Sequence, residues 1–216
     1  MKVKSFIYFV VIVFNIAACN QASNNDKLLI YGQRDVVDVR YEGGVKADTV
    51  YHSIPDFAFL NQDSALVTQN TVEGKIYVAD FFFTSCPTIC PLMKTQMLRV
   101  YKKYKDNPSI LLLSHTIDPE YDDVALLKDY ADRLGVNSST WNFLTGDKEA
   151  IYEIGQRSYM VTAAEDADEP GGYIHSGAFL LVDPNRHIRG IYDGTKEKEV
   201  DRLIKDIPKL LSEFNL

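Results

Sequence analysis

Hydrophobic positions along this chain fall into runs of two kinds, and their order predicts an architecture. Lys75-Ile76-Tyr77-Val78-Ala79-Asp80-Phe81-Phe82-Phe83 and Ile110-Leu111-Leu112-Leu113-Ser114-His115-Thr116-Ile117-Asp118 are short and almost continuously apolar. Strands covered on both faces show runs of that kind. Between them Leu92-Met93-Lys94-Thr95-Gln96-Met97-Leu98-Arg99-Val100-Tyr101 has helical composition, with Pro91 suited to the first turn and an end near Lys105-Asp106-Asn107-Pro108. Behind Asp122-Asp123, the apolar residues of Val124-Ala125-Leu126-Leu127-Lys128-Asp129-Tyr130-Ala131 recur with helical spacing until Gly135 stops them. Trp141-Asn142-Phe143-Leu144 reads as a short strand, and Gly146-Asp147 as the cap of a helix running through Ile154-Gly155. Ala178-Phe179-Leu180-Leu181-Val182 and His187-Ile188-Arg189-Gly190-Ile191-Tyr192 flank the turn Asp183-Pro184-Asn185-Arg186, a hairpin signal. Residues 196–214 form an amphipathic helix that Pro208 should kink or divide.

The N-terminal quarter is less regular. Ile54-Pro55-Asp56-Phe57-Ala58-Phe59-Leu60-Asn61-Gln62-Asp63 reads as an added edge strand with Pro55 at its start, and residues 69–74 as a turn. Residues 28–51, with Val36-Val37-Asp38-Val39 and a Glu42-Gly43-Gly44 turn, predict an irregular arm or a small hairpin. Strands alternating with helices, then a hairpin and a closing helix, predict an α/β fold: a central sheet of mixed direction flanked by helices.

The candidate chemistry lies where the first buried run meets the first helix. Cys86-Pro87-Thr88-Ile89-Cys90-Pro91 sits at that strand-to-helix turn. The positive end of the helix dipole is expected to favour a thiolate there. A CxxxC spacing places the two sulfurs about one helical turn apart, on one side. That arrangement suits a disulfide or a shared metal ion, against the plain alternative of two buried, inert thiols. With a two-cysteine turn after its central strand, the chain is similar to thioredoxin-like folds.

Composition narrows the setting. A net charge of -7, without a basic block, speaks against nucleic-acid binding and polybasic membrane docking. Lys2 and Lys4 precede an apolar run from Phe6 to Ala18 broken only by Asn15, short for a spanning helix and suited to a secretory signal. Its end, Ile16-Ala17-Ala18-Cys19, resembles a bacterial lipoprotein processing site. The resemblance implies a signal peptide over residues 1–18, a lipid on the Cys19 sulfur and a polar tether after it; an uncleaved signal anchor is the alternative. Either way the domain is expected in the cell envelope, outside the cytoplasm and tethered to a membrane. Of 3 cysteines, Cys19 is then set aside and Cys86 and Cys90 remain as a pair. Their loop is too short to restrain the unfolded chain much, so the pair points to redox chemistry, metal binding or both.

The histidines separate by context. His187 and His115 belong to strand patterns and read as packed or surface residues, and His52 lies outside the core pattern. His175 stands in Gly171-Gly172-Tyr173-Ile174-His175-Ser176-Gly177, a glycine-rich loop that would face the cysteine turn in a thioredoxin-like arrangement. Position alone leaves its role open.

Taken together, Cys86-Pro87-Thr88-Ile89-Cys90-Pro91, Ser114-His115-Thr116-Ile117-Asp118-Pro119 and His175-Ser176 ahead of Leu181-Val182-Asp183-Pro184 resemble the Sco/SenC family. These are membrane-anchored, thioredoxin-like proteins involved in copper delivery to the dinuclear copper centre of cytochrome c oxidase. The resemblance implies copper ligands at Cys86, Cys90 and His175, with Asp118 supporting them from outside or serving its turn. It implies a family domain over residues 51–216, behind a lipidated tether and arm at 19–50. The partners implied are a copper-receiving oxidase subunit, a copper donor and a thiol reductant. Two thiolates and an imidazole suit Cu(I). Zinc fits the same donors, but no evident hydrolytic base accompanies them, which ranks it lower. A thiol–disulfide oxidoreductase acting on exported proteins is the competing reading.

Overall fold

The computed structural model describes residues 27–41, 44–166 and 172–216, with the backbone alone at Ile174 and His175. The expected signal peptide, Cys19 and the tether up to residue 26 lie outside the described residues, as do Glu42, Gly43 and Gly171.

The first strand of the core, β5 (Ile76–Phe82), is buried at every position, as its continuous apolar run requires. It is the third strand of a seven-stranded sheet with the order β11-β10-β5-β6-β7-β3-β4. The strands are β6 (Ile110–Thr116), β7 (Trp141–Thr145), β10 (Ala178–Val182), β11 (Ile188–Asp193), β3 (Ala58–Asn61) and β4 (Leu66–Thr68). β5, β6 and β7 run parallel, with Phe81 beside His115 and His115 beside Leu144. β10 pairs antiparallel to β5, and β3 antiparallel to β7, which gives the mixed sheet expected from the element order. The expected edge strand is one place further in. β3 is covered by β4, and the turn expected after it holds the short helix α1 (Gln69–Val72), closed by a capping box on Thr68.

Helices occupy the connections. In α2 (Cys90–Tyr104) the buried stripe is Met93, Met97, Val100, Tyr101 and Tyr104, at helical spacing. α3 (Val124–Leu134) starts on an Asp123 side-chain cap and ends at Gly135 with φ of 67°. α4 (Lys148–Glu153) continues into a single π-helical stretch, Ile154–Ser158, where Gly155 lies against the Phe81 ring.

The last helix is not divided at its proline. α5 (Glu197–Phe214) runs unbroken through Pro208. A proline removes the hydrogen bond to the carbonyl four residues back, here that of Ile204. The Tyr104 hydroxyl donates to that carbonyl at 2.9 Å, so α2 satisfies the acceptor that Pro208 leaves open.

Two small antiparallel ribbons stand outside the main sheet. β1 (Arg34–Tyr41) and β2 (Gly44–Tyr51) make the N-terminal hairpin, and β8 (Ala163–Glu165) pairs with β9 (Tyr173–His175). The first resolves the choice between irregular arm and hairpin. The second was not expected from the glycine-rich sequence around it.

Candidate metal and redox site

β5 delivers its end directly into the cysteine turn. Cys86 closes that turn by donating its N–H to Phe83 O at 3.3 Å, and Cys90 is the first residue of α2. Ile89, the cap residue, offers no side-chain hydrogen bond to the helix, and Pro91 follows in the first turn. Both cysteines are buried and free of a disulfide, at 7% and 5% exposure. Their sulfurs are hydrogen-bonded to each other, and Cys86 Sγ also lies 3.6 Å from Thr88 Oγ1.

The electrostatics correct the thiolate expectation for Cys90. Its hydrogen bond with Cys86, and burial after that, hold the thiol well above its ordinary range, while the Phe83 backbone pulls the other way. A helix end contributes roughly 0.3–1 kcal/mol, which desolvation of a buried anion exceeds. The bond between the sulfurs and the burial both raise the pH at which Cys90 gives up its proton.

The second half of the site arrives from β9. His175 lies opposite Ala163 in the β8–β9 pairing, and Ser176 N–H bonds Thr162 O at 2.9 Å. Two contacts bracket it. Tyr173, two residues before, sets its ring 5.1 Å from that of Phe83. Gly177, two residues after, is so close to the loop between the cysteines that a Cβ there would stand 3.6 Å from Ile89 Cδ1. The His175 backbone therefore runs beside the cysteine turn. Among the described side chains, no His, Asp or Glu joins the two sulfurs in a three-donor group.

Asp118 is placed at the start of the loop after β6. The Tyr173 hydroxyl hydrogen-bonds its carboxylate, and burial followed by that bond raises the tyrosine's pKa. Asp118 thus ties the loop after β6 to the strand that carries His175.

Sequence reasoning missed two acidic side chains that shape the site. Asp122 is fully buried and accepts Thr84 N–H at 3.0 Å, the Thr84 hydroxyl and the Thr116 hydroxyl at 2.5 Å. It pins the entrance of the cysteine turn to the end of β6. Burial raises its pKa, against the pull of the three hydrogen bonds. The available signal was Thr84 and Thr116, hydroxyls at the ends of adjoining strands with an acid just downstream. Asp80, on β5, accepts the Ser114 hydroxyl, which itself takes the Trp141 indole N–H at 2.8 Å. It borders the same small recess as Cys90 and Tyr130.

The sheet order, the flanking helices and a two-cysteine turn at the end of the central parallel strand define a thioredoxin-like protein. The chain matches the SCO1/SenC family over residues 46–212, and it belongs to that family. It is similar to the crystal structure of a SCO1/SenC family lipoprotein from Bacillus anthracis, at 30% identity and a TM-score of 0.67, covering 74% of this chain and 95% of that one. It is also similar to BsSco, described as a member of the Sco family of cytochrome c oxidase assembly proteins with a disulfide switch. That match has 31% identity and a TM-score of 0.65, over 74% of this chain and 93% of that one. Arabidopsis thaliana ScoI with copper bound matches at 26% identity and a TM-score of 0.59, over 72% of this chain and 98% of that one.

Proposed function

We propose that this protein binds copper through Cys86, Cys90 and His175 and passes it to the copper-receiving subunit of a cytochrome c oxidase. The observation that carries the reading is the pair of converging, unoxidised sulfurs with the His175 backbone beside them. Two sulfurs are the soft donors that Cu(I) prefers, and an imidazole completes a three-coordinate set. Copper here is cargo. Its binding competes with protons for the sulfurs. Oxidation of the pair to a disulfide releases two electrons and two protons and removes both sulfur donors, so loading requires a thiol reductant first. The lipoprotein relative and the copper-bound relative support the wider setting: a lipid on Cys19, a domain from about residue 51 onward outside the cytoplasm, and a copper donor upstream.

The second reading, a thiol–disulfide oxidoreductase, is favoured by the direct hydrogen bond between the sulfurs and by the disulfide switch of the BsSco relative. One experiment separates them. Copper stoichiometry and absorption spectra are measured on the reduced protein beside Cys86→Ser, Cys90→Ser and His175→Ala. Delivery predicts a single tightly held copper, lost with either serine and weakened or spectrally shifted with His175→Ala. No specific copper, with a readily cycled Cys86–Cys90 disulfide, refutes delivery and leaves the oxidoreductase. Copper binding that His175→Ala leaves unaltered refutes the third ligand.

A further inference from the structure

The N-terminal hairpin takes no part in the main sheet, and its first strand carries a pattern of its own. Every residue of β1 is exposed, including Val36, Val37, Val39 and Tyr41. Among the described residues β1 pairs with β2 alone, so its outer edge is open. The ribbon is fastened at its root, where His52 N–H bonds Gln33 O at 2.9 Å and Tyr31 N–H bonds Ile188 O at 2.8 Å. An open eight-residue edge without proline is a template for another strand. We propose that the outer edge of β1 is a self-association surface, paired antiparallel with the same edge of a second copy of this chain.

Symmetry and charge select the register. A two-fold axis pairs each residue reciprocally with its counterpart. Standing perpendicular to the ribbon, that axis keeps each face on its own side, so a residue meets only residues an even number of places away, or itself. Centred on Val37, the pairing sets Arg34 against Arg40. Centred on Asp38 or on Arg40, it opposes like charges at the axis. Centred on Val36, it joins Arg34 to Asp38 but sets the Asp35 carboxylates against Val37, close to the root. Centred on Val39, every pair within residues 37–41 fits: Val39 meets itself, Val37 meets Tyr41 twice, and Asp38 meets Arg40 twice. Val39 also stands about 20 Å from the root at Gln33, which leaves room for both bodies.

The backbone agrees with this register. Tyr41 lies opposite Gly44 across a two-residue connection, so odd-numbered residues of β1 exchange hydrogen bonds with β2. Asp38 and Arg40 then turn their N–H and C=O groups outward, and these are the residues that exchange bonds with the second copy. Neither makes an ion pair within the chain among the described residues. The β2 edge repeats the charge pattern, Lys46 against Asp48 about Ala47, but with Gly44 and Thr49 it covers less apolar surface. β1 precedes the family match at 46–212.

The test is sedimentation velocity on the full chain in detergent. Asp38→Arg and Arg40→Asp each place two like-charge pairs in the interface and weaken association by about tenfold. The double exchange, Asp38→Arg with Arg40→Asp, restores it, which a merely misfolded ribbon would not. On a Cys86→Ser, Cys90→Ser background, Val39→Cys cross-links rapidly under mild oxidation, because it meets itself at the axis, and Val36→Cys does not. A chain that stays monomeric, a double exchange that fails to restore dimers, or equal cross-linking at both positions overturns the proposal. So does dissociation by Asp48→Lys with Asp38→Arg silent, which moves the contact to β2.

Discussion

Replacing His115 by leucine should flatten the acid limb of the protein's stability. His115 is 0% exposed, and among the described residues neither ring nitrogen has a hydrogen-bond partner. It stacks on Phe81 with centroids 5.0 Å apart, edged by Phe59 at 5.4 Å, Phe57 at 6.4 Å and Tyr159 at 5.6 Å. Among the described residues no charged group faces it in that box, and desolvation lowers its pKa from 6.5 to about 3. The folded protein therefore holds a neutral imidazole where the unfolded chain takes up a proton. Stability from this group is complete above pH 6.5 and falls as the pH drops toward 3. At roughly 1.4 kcal/mol per pKa unit, the loss between about pH 7.5 and about pH 4.5 is about 2.7 kcal/mol. Urea unfolding of wild type and His115→Leu across that range gives the difference directly, since every other titrating group is common to both. Near neutral pH the variant should lie within about 1.5 kcal/mol of wild type, because a similar apolar volume replaces a ring with two unsatisfied nitrogens. Parallel stability curves for the two proteins would refute the buried, unprotonated imidazole.

Asp122→Ala should cost about 3 kcal/mol in urea unfolding, because the Thr84 N–H and two hydroxyls lose their buried acceptor; Cys86 should also react faster with a thiol reagent. An Asp122→Ala protein with unchanged midpoint and thiol reactivity would mean the carboxylate does not hold the turn. Cu(I) affinity, measured by competition with a chelator, should rise by about tenfold per pH unit for each thiol proton displaced. An affinity independent of pH would show that the thiolates are already formed.

The central frame was legible because two short, continuous apolar runs, a proline at a helix start and a glycine at a helix end each carry one meaning. The hairpin was half legible. Valines and a glycine turn announced strands, but alternation ordinarily marks one buried face, whereas here charges and valines share both faces and every residue of β1 is exposed. The undivided helix at Pro208 was not legible because the missing N–H is a local fact, while the Tyr104 hydroxyl that takes up the open carbonyl comes from a distant helix. The Cys90 thiolate failed on magnitude. Sequence shows the helix end and a second sulfur one turn away, but not the burial or the hydrogen bond between the sulfurs, which together outweigh the helix end. Asp122 was passed over for Asp118, since the Asp-Pro pair stands out in the sequence while three hydrogen bonds converging from the cysteine turn and the end of β6 do not.

The two halves of the candidate site are held by different means, and that difference bears on how copper leaves. Cys86 and Cys90 rest on the central sheet, with the turn pinned by Asp122 and by the buried end of β5. His175 rests on a separate ribbon of three residue pairs, joined to the cysteine side through Tyr173 on Phe83 and Asp118 and through Gly177 against Ile89. Short ribbons with few buried contacts open at lower free energy than the strands of a core. On the proposed reading, the imidazole is the donor released first, while the sulfurs keep the ion at a fixed place. A receiving protein then needs to displace one ligand at a time, without unfolding the turn that holds the other two.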